Sequence, residues 1–417
     1  MPFPPRDSQT RIKHGILREY TGAWASIIGM GARPSYLSAQ ARGREWTLPL
    51  VYVDGFGGAG RYAGDSDQPE TNEPIWGSPI IGMKALEAAA ERLGIPVEVS
   101  GIVVEANPDY FDELVANIEA SGVRTPRDVR GRVADAIPGR LTLVRGDFRE
   151  HVRDLRRWLA DRFALVLVDP FGTGMPMSAL EMLLRRPRTD AIVLFPVLDI
   201  DRKGGSAKKP ESERTPEDRG NITRVDEVFG STRWREVACD PSLSLAVREE
   251  IYTNMYEERL QQINPELAVK NIPLRLSAVN RTAYRLFLTT SDGDGALRMN
   301  AILRGAEFRE HFTLWADFLE RQRRKEEGQG LLSLFDLPPS PPPAVHETAV
   351  ETAEVIRSFD DLCPVGTYTL KGIYGKMANT IFTEGEVNKA LRQLRAGGRV
   401  DYEGELKGKG KVVRRLK

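Results

Sequence analysis

VYVDGFGGAG, residues 51–60, runs an apolar, strand-like segment straight into a turn that holds four glycines in six residues. The strand would deliver Asp54 to its carboxyl end. Gly55, Gly57, Gly58 and Gly60 would then let the backbone take positive φ values and come close to a ligand, which a Cβ hinders. Two parses compete. Gly55, Gly57 and Gly60 satisfy G-x-G-x-x-G, the dinucleotide fingerprint, but that motif has to open a helix. The next segment of the chain, RYAGDSDQPETNEP (61–74), carries no helical periodicity. The other parse is F-x-G-x-G, from Phe56 through Gly58 to Gly60. A purely structural glycine turn would satisfy the pattern as well.

Outward from this turn the chain repeats one plan. Short Val/Ile/Leu runs at 48–55, 97–105, 140–147, 163–170 and 190–197 each end in a polar or glycine-bearing turn. Near-continuous apolar runs suit strands buried on both faces. Helical stretches separate them, at 79–93, 109–120, 148–160 and 178–184. An amphipathic helix over Thr10–Met30 precedes them all, with Ile12, Ile16, Leu17, Tyr20, Trp24, Ile27 and Ile28 at helical spacing. Strand, helix, strand in repetition predicts an α/β fold, a Rossmann-like parallel sheet with helices on both faces. Helical residues near 242–262 and an antiparallel pair, clearest in YRLFLTTS (284–291), would close the sheet. Residues 296–326 read as a further helix ending in RQRRK. Residues 201–224 are polar, mixed in charge and poor in apolar side chains, so they read as a mobile loop or lid.

Composition excludes several classes. In 417 residues Lys+Arg and Asp+Glu both number 59, so no global field attracts nucleic acid and any steering has to be local. Cys239 and Cys363 are too few and too far apart for a disulfide framework or a zinc pattern. His14, His151, His311 and His346 form no ligand-spaced cluster, and no metal site is expected. The start, MPFPPRDSQTRIKHG, lacks the apolar run of a signal peptide, and no stretch of 18 apolar residues exists. The expectation is a cytoplasmic chain without a membrane span. At this length two domains are expected.

Three more strand ends carry groups suited to a nucleoside. Glu105 ends GIVVE, where an acidic side chain can accept both ribose hydroxyl hydrogens or merely be solvated. Asp147, in RGDF, would contact an adenine edge; capping the helix that starts at Phe148 accounts for it equally well. Asp169 leaves a buried run directly into Pro170, Phe171 and Gly172. There a carboxylate and the Pro170 carbonyl can hold the hydrogens of an exocyclic amine while Phe171 stacks on the base. A simple turn after a strand is the plainer account.

Glycine loop after strand one, acid after strand two, Asp after strand three and Asp-Pro after strand four together resemble the layout of class I methyltransferases. F-x-G-x-G is the form common in those that act on nucleic acids. This resemblance implies S-adenosylmethionine as cofactor, with Asp54, Gly55, Phe56, Gly58 and Gly60 at its methionine end, Glu105 at the ribose and Asp147 at the adenine. Asp169, Pro170 and Phe171 would orient the acceptor, and Arg202, just past the fifth strand, would sit at the rim.

The chain is also similar to the three-Cys-motif partner family (TcmP). The matching stretches are KHGILREYTGAW (13–24), YVDGFGGAGRY (52–62), GSPIIGMKAL (77–86), IVVEANPDYFDEL (102–114), GDF (146–148) and LVLVDPFG (165–172). They cover most of residues 13–310. The resemblance implies a methyltransferase-like fold whose partner is a cysteine-motif protein, usually encoded next door. Asp169–Gly172 also resembles the DPFG of tRNA guanine-N2 methyltransferases. It departs from the DPPY of adenine-N6 enzymes, lacking the second proline and moving the aromatic one place earlier, which argues against adenine as the target base.

After Lys325 the composition shifts. PPSPPP (338–343) cannot donate backbone hydrogen bonds and favours an extended, semi-rigid linker. The expected organisation is a domain over 1–325, a linker over 326–354 and a small domain over 355–417. LLSLFD (331–336) is an apolar patch in that linker, either a docking motif or a staple onto the core. Further on, Thr383-Glu-Gly-Glu386 has the form of a capping box. Val387, Leu391 and Leu394 share one helical face, and Gly397-Gly398 stop the helix. RVDYEG and KVVRRL flank LKGKGK as two strands of a hairpin, so the segment follows the winged-helix plan. It is similar to modules attached to some members of the same family.

Residues 366–417 hold twelve Lys/Arg and five Asp/Glu. A basic wing on phosphates with a recognition helix in a groove is one expectation; a protein-docking module is the other. Two functions stay open for the whole chain. One is methylation of a nitrogen on tRNA, rRNA or DNA, and the other is a non-catalytic adaptor that binds a cysteine-motif partner.

Overall fold

The computed structural model describes residues 6–64, 74–170, 172–276, 281–326, 350–406, 408 and 410–417. Phe171, LLSLFD at 331–336, the proline run at 338–343, Lys407 and Lys409 lie outside the described residues.

Helix α1 (Ser8–Ala41) leads. Asp7 caps it, its carboxylate accepting from the Thr10 N–H at 2.7 Å, and Ile16, Leu17, Tyr20 and Trp24 form its buried stripe. It continues past Met30, through Pro34, as a mostly exposed rod. β1 (Leu48–Asp54) is next, then the glycine turn and a short ladder of β2 (Arg61–Tyr62) with β3 (Ile75–Trp76). Gly60 therefore runs into a strand and not a helix, which removes the dinucleotide parse. Then come α2 (Ser78–Arg92), β4 (Val97–Glu105), α3 (Pro108–Ala120), β5 (Arg127–Arg130) and β6 (Leu141–Arg145). They are succeeded by α4 (Phe148–Leu159), β7 (Phe163–Val168), α5 (Met177–Leu184) and β8 (Thr189–Phe195). The remainder of this part is α6 (Val197–Lys208), α7 (Pro216–Phe229), α8 (Trp234–Cys239), α9 (Leu245–Ile263), β9 (Ala268–Leu276), β10 (Arg281–Thr290) and α10 (Gly293–Glu326).

Eight strands form one sheet in the order β5-β6-β4-β1-β7-β8-β10-β9. Every pair from β5 across to β8 is parallel. The chain works outward from β1 through β4 and β6, then returns to the other side of β1 for β7 and β8. That reversal leaves a switch point at the carboxyl end of β1, where open α/β sheets bind ligands. Val51, Tyr52 and Val53 on β1, Ile102, Val103 and Val104 on β4, and Leu165, Val166 and Leu167 on β7 are all fully buried; since neighbouring residues point to opposite faces, the central strands are covered on both. This is a Rossmann-like α/β sheet. β5 is an addition that RDVR does not announce; an edge strand with one neighbour needs no apolar run, and its Val129 is exposed.

Residues 201–224 are not a loop. They fall in α6, a 3-10 turn at Glu211–Glu213, and α7. The cause of this correction is local. Thr215 and Asp218 form a reciprocal capping box, Pro216 occupies the first turn, and the few apolar side chains, Ile222, Val225, Val228 and Phe229, share one buried face. A low apolar fraction is compatible with a packed helix when those residues line up.

The chain divides into two compact units, Met1–Glu266 with Asn271–Leu288, and Leu267–Lys270 with Thr289–Lys417. In the second unit α10 is joined by α11 (Thr352–Leu362), β11 (Gly366–Thr369), α12 (Leu370–Lys376), α13 (Glu384–Ala396), β12 (Val400–Asp401) and β13 (Val412–Arg415). Its strands pair antiparallel in the order β11-β13-β12. The Thr383–Glu386 capping box opens α13 and Gly397 caps its end. Val355, Phe359, Ile373, Val387, Leu391 and Val413 build the core of this unit together with Leu297 of α10. No described helix is long and apolar enough to cross a membrane.

Candidate functional site

Strand register decides which strand ends meet. Asp54 is level with Val103 on β4 and Leu167 on β7. Glu105 lies two residues further along β4, level with Arg145, the last residue of β6. Asp147 and Asp169 stand just beyond β6 and β7. With strands about 4.8 Å apart, the carboxyl edge presents Asp147, Glu105, Asp54 and Asp169 on four neighbouring strands.

The connecting loops keep pairing past the strand ends. The Gly55 N–H donates to the Leu167 carbonyl at 3.1 Å, and the Gly57 N–H to the Val104 carbonyl at 2.9 Å. A Cβ on Gly55 would stand 2.6 Å from the Phe148 ring, so this glycine is required by packing. Gly58 and Gly60 take φ of +57° and +72°, the left-handed region that favours glycine. A Cβ on Gly58 would meet nothing within 4 Å, so the Cα of this residue faces open space.

Asp54 is fully buried. The Tyr52 hydroxyl donates to it at 3.1 Å and so does the Phe56 N–H at 3.1 Å. Burial pushes the Asp54 carboxyl up to about 6; hydrogen bonds from Ser78, the Phe56 N–H and Tyr52 oppose the rise, and the charge of Asp169 adds to it. Glu105 clamps the glycine turn, its two oxygens accepting from the Gly58 N–H and the Asn107 N–H, each at 2.7 Å. Each of those oxygens retains a lone pair. Asp147 caps α4, accepting from the Arg149 N–H at 2.9 Å, and remains partly open to solvent.

Asp169 is held by Lys13, an ammonium that α1 carries across from far upstream. Burial alone would push Lys13 down, but Asp169, with Tyr62 and Asp54 behind it, raises it above the ordinary lysine value. Lys13 is therefore a cation in an almost dry place. Beside it, His14 is buried, and among the described residues neither ring nitrogen has a hydrogen-bond partner; its ring lies 5.6 Å from Tyr62 in an edge-to-face contact. Burial, then the charges of Lys13, Arg6 and Arg18, hold His14 well below its usual value, so it is neutral. Pro170 is buried, and Arg202 sits exposed on α6, ion-paired with Asp199.

Lys13, His14, Tyr52 and Tyr62 escape a reading for site residues, because α1 looks like a packing helix and β1 like a buried strand. A signal does exist. Lys13 and His14 occupy positions of α1 that share the buried surface of Ile16, Leu17 and Tyr20, and ionisable groups on such a stripe need partners.

No protein-family model matches the chain, and no curated protein matches its sequence. The likeness to the three-Cys-motif partner family thus rests on the quoted motifs alone. Among solved structures the chain is similar to Trm1 from Pyrococcus horikoshii in complex with S-adenosyl-L-methionine, at TM-score 0.30 and 14% identity over 67% of this chain and 55% of that one. It is also similar to a protein from Legionella pneumophila (TM-score 0.32, 11% identity, 64% of this chain and 85% of that one). A third is a loganic acid methyltransferase with SAH (TM-score 0.25, 9% identity, 100% and 99%). The match spans about half the length of the Pyrococcus protein. All three are distant likenesses.

Proposed function

We propose that the first unit binds S-adenosylmethionine at the glycine turn and methylates a nitrogen on nucleic acid, with the second unit adding nucleic-acid affinity. The observation that carries this reading is Asp54, a dry carboxyl at the switch point, set beside a turn whose Gly58 Cα faces open space. A buried carboxylate gains from a cation, and the methionine end of the cofactor carries an ammonium. Gly55, Phe56, Gly58 and Gly60 would hold that end. Glu105 would offer its remaining lone pairs to the ribose hydroxyls, and the partly open Asp147 would meet the adenine.

When bound, the cofactor supplies a methyl group on a sulfonium; its transfer forms an N–C bond as the S–C bond breaks, leaving a thioether and releasing a proton. The chain's own residues act on the acceptor. Lys13 pairs with Asp169 and fixes its carboxylate, which would accept the acceptor's N–H so that the nitrogen lone pair is directed outward. The Pro170 carbonyl and Phe171 would complete the orientation. Positioning of this kind is worth several kcal/mol.

In the second unit we read α11, β11, α12, α13 and the β12–β13 pair as a winged helix. α13 exposes Lys389, Arg392 and Arg395 along its outer side. That stripe suits phosphates.

One observation favours a non-catalytic adaptor instead: the Lys13–Asp169 pair already engages one oxygen of the carboxylate that transfer needs. The partner in that reading is a three-Cys-motif protein. Calorimetry of the full chain with S-adenosylmethionine separates the two. Binding that disappears in Asp54→Ala supports the enzyme, whereas no heat at millimolar cofactor overturns it in favour of the adaptor. Labelled methyl transfer to mixed tRNA, rRNA and DNA then identifies the acceptor.

A further inference from the structure

A cavity of about 530 Å³ opens past the carboxyl end of β8, between the first turns of α6 and the start of β10. Pro196, Leu198 and Tyr284 supply an apolar and aromatic wall, and Asp199, Asp201, Arg202 and Arg281 a charged one. Neither carboxylate is free. Asp199 is paired with Arg202 and Lys203, and Asp201 with Arg248 at 2.8 Å and Arg281 at 3.8 Å. The lining itself balances, Arg202 and Arg281 against Asp199 and Asp201; but each carboxylate is shared with a further cation from outside the lining, Lys203 for Asp199 and Arg248 for Asp201, so neither arginine has a carboxylate to itself.

Two links tie the cavity to the strand-end site. Lys203 also donates to Thr173 Oγ1, in the loop just after Asp169. The half-buried Tyr284, in the cavity's lining, has its phenol raised first by burial and then by the charge of Asp169, with Lys13 opposing and Asp7 and Asp199 adding. The volume falls in the ~300–1,000 Å³ range of organic ligand pockets. Two guanidinium groups with shared carboxylate partners, beside an aromatic wall, suit an anion that carries a flat ring.

We infer that this cavity receives a phosphate-bearing nucleotide unit, its base against Tyr284 and its phosphate toward Arg202 and Arg281. The role of that nucleotide as methyl acceptor rests on the reading proposed above; its binding does not. The same chemistry is offered by a free nucleotide and by one extruded from a strand.

Ligand-observed NMR on the full chain, without S-adenosylmethionine, tests the inference with GMP and guanosine as probes. GMP is expected to bind more tightly than guanosine. Arg202→Ala, a change at an exposed side chain, should weaken GMP about tenfold and leave guanosine unaltered, as expected for a lost charge-assisted contact. Tyr284→Leu should weaken both about tenfold or more through lost stacking. Equal binding of GMP and guanosine, or GMP binding untouched by both variants, overturns the inference. With GMP binding in hand, photocrosslinking of a short thiouridine-containing RNA separates the sources. Crosslinks at Tyr284 assign an extruded nucleotide, and crosslinks confined to the second unit assign a free one. Calorimetry with S-adenosylmethionine, which neither variant should change, reports separately on the cofactor reading.

Discussion

A fully buried carboxyl raised to about 6 would couple the binding of a cation to proton release, and Asp54 is such a carboxyl. Affinity for S-adenosylmethionine should rise as pH goes from about 5 to about 7 and then level off, because a cation prefers the ionised form. Calorimetry at fixed ionic strength measures this; a flat profile would mean that no cofactor cation meets Asp54. Asp54→Asn should remove the dependence and cost at least about tenfold in affinity, the size of a lost charge-assisted bond. Lys13 makes a different prediction. Lys13→Met leaves Asp169 without its cation, so methyl transfer should fall by about tenfold or more while cofactor affinity stays within about twofold. Lys13→Arg should restore part of the rate. Loss of cofactor binding in Lys13→Met would place Lys13 in the cofactor site instead.

At the level of elements, α2 passes so close to β1 that Gly82 has no room for a side chain. A Cβ there would overlap the ring of Tyr52. Alanine in a helix interior normally gains up to about 1 kcal/mol over glycine. Here the overlap wins, because Tyr52 is fully buried and its hydroxyl is engaged by Asp54. Gly82→Ala should destabilise the protein by about 1–3 kcal/mol in urea unfolding and weaken cofactor binding through displaced Asp54. A neutral or stabilising result would show that α2 shifts freely. On α13, the double change Lys389→Glu and Arg392→Glu alters exposed residues only. It should lower nucleic-acid affinity and reduce the slope of log K against log salt by about 2, one contact per residue. An unchanged slope would assign that helix to protein docking.

For the molecule as a whole, two buried groups bend the stability curve in opposite senses. His14 has a depressed pKa in the fold, so between about 6.5 and that lower value the unfolded chain binds the proton and the folded chain does not. Its contribution is present above about pH 6.5 and is lost as pH falls. Asp54 has a raised pKa, from 3.8 to about 6. In that window the folded chain binds more protons, so the Asp54 contribution declines as pH rises through it. His14→Leu should therefore flatten the loss of Tm just below about pH 6.5, and an unaltered acid limb would show that His14 is not its source. Charge obeys the same logic of distribution. The total is zero, yet the segment 366–417 is basic and the rest of the chain is correspondingly acidic. Nucleic acid would be met by one end of the sequence and not by the average.

Local pattern carries most of the architecture. A strand buried on both faces cannot disguise its composition, so the runs ending at Asp54, Glu105, Asp147 and Asp169 are readable as strands, and the capping box at Thr383 as a helix start. β5 and α7 are not readable in the same way, since an edge strand needs few apolar residues and a helix needs only one apolar face. The ends of strands are legible as places; their bonds are not. Glu105 as a clamp on the glycine turn, Lys13 as the counterion of Asp169 and the desolvation of Asp54 all depend on segments far apart in the chain lying against one another. So does the cavity beside Tyr284, which exists because β10 pairs with β8. Helix and strand periods are written in neighbouring residues, whereas burial and charge pairing are properties of packing, and no window of sequence contains them.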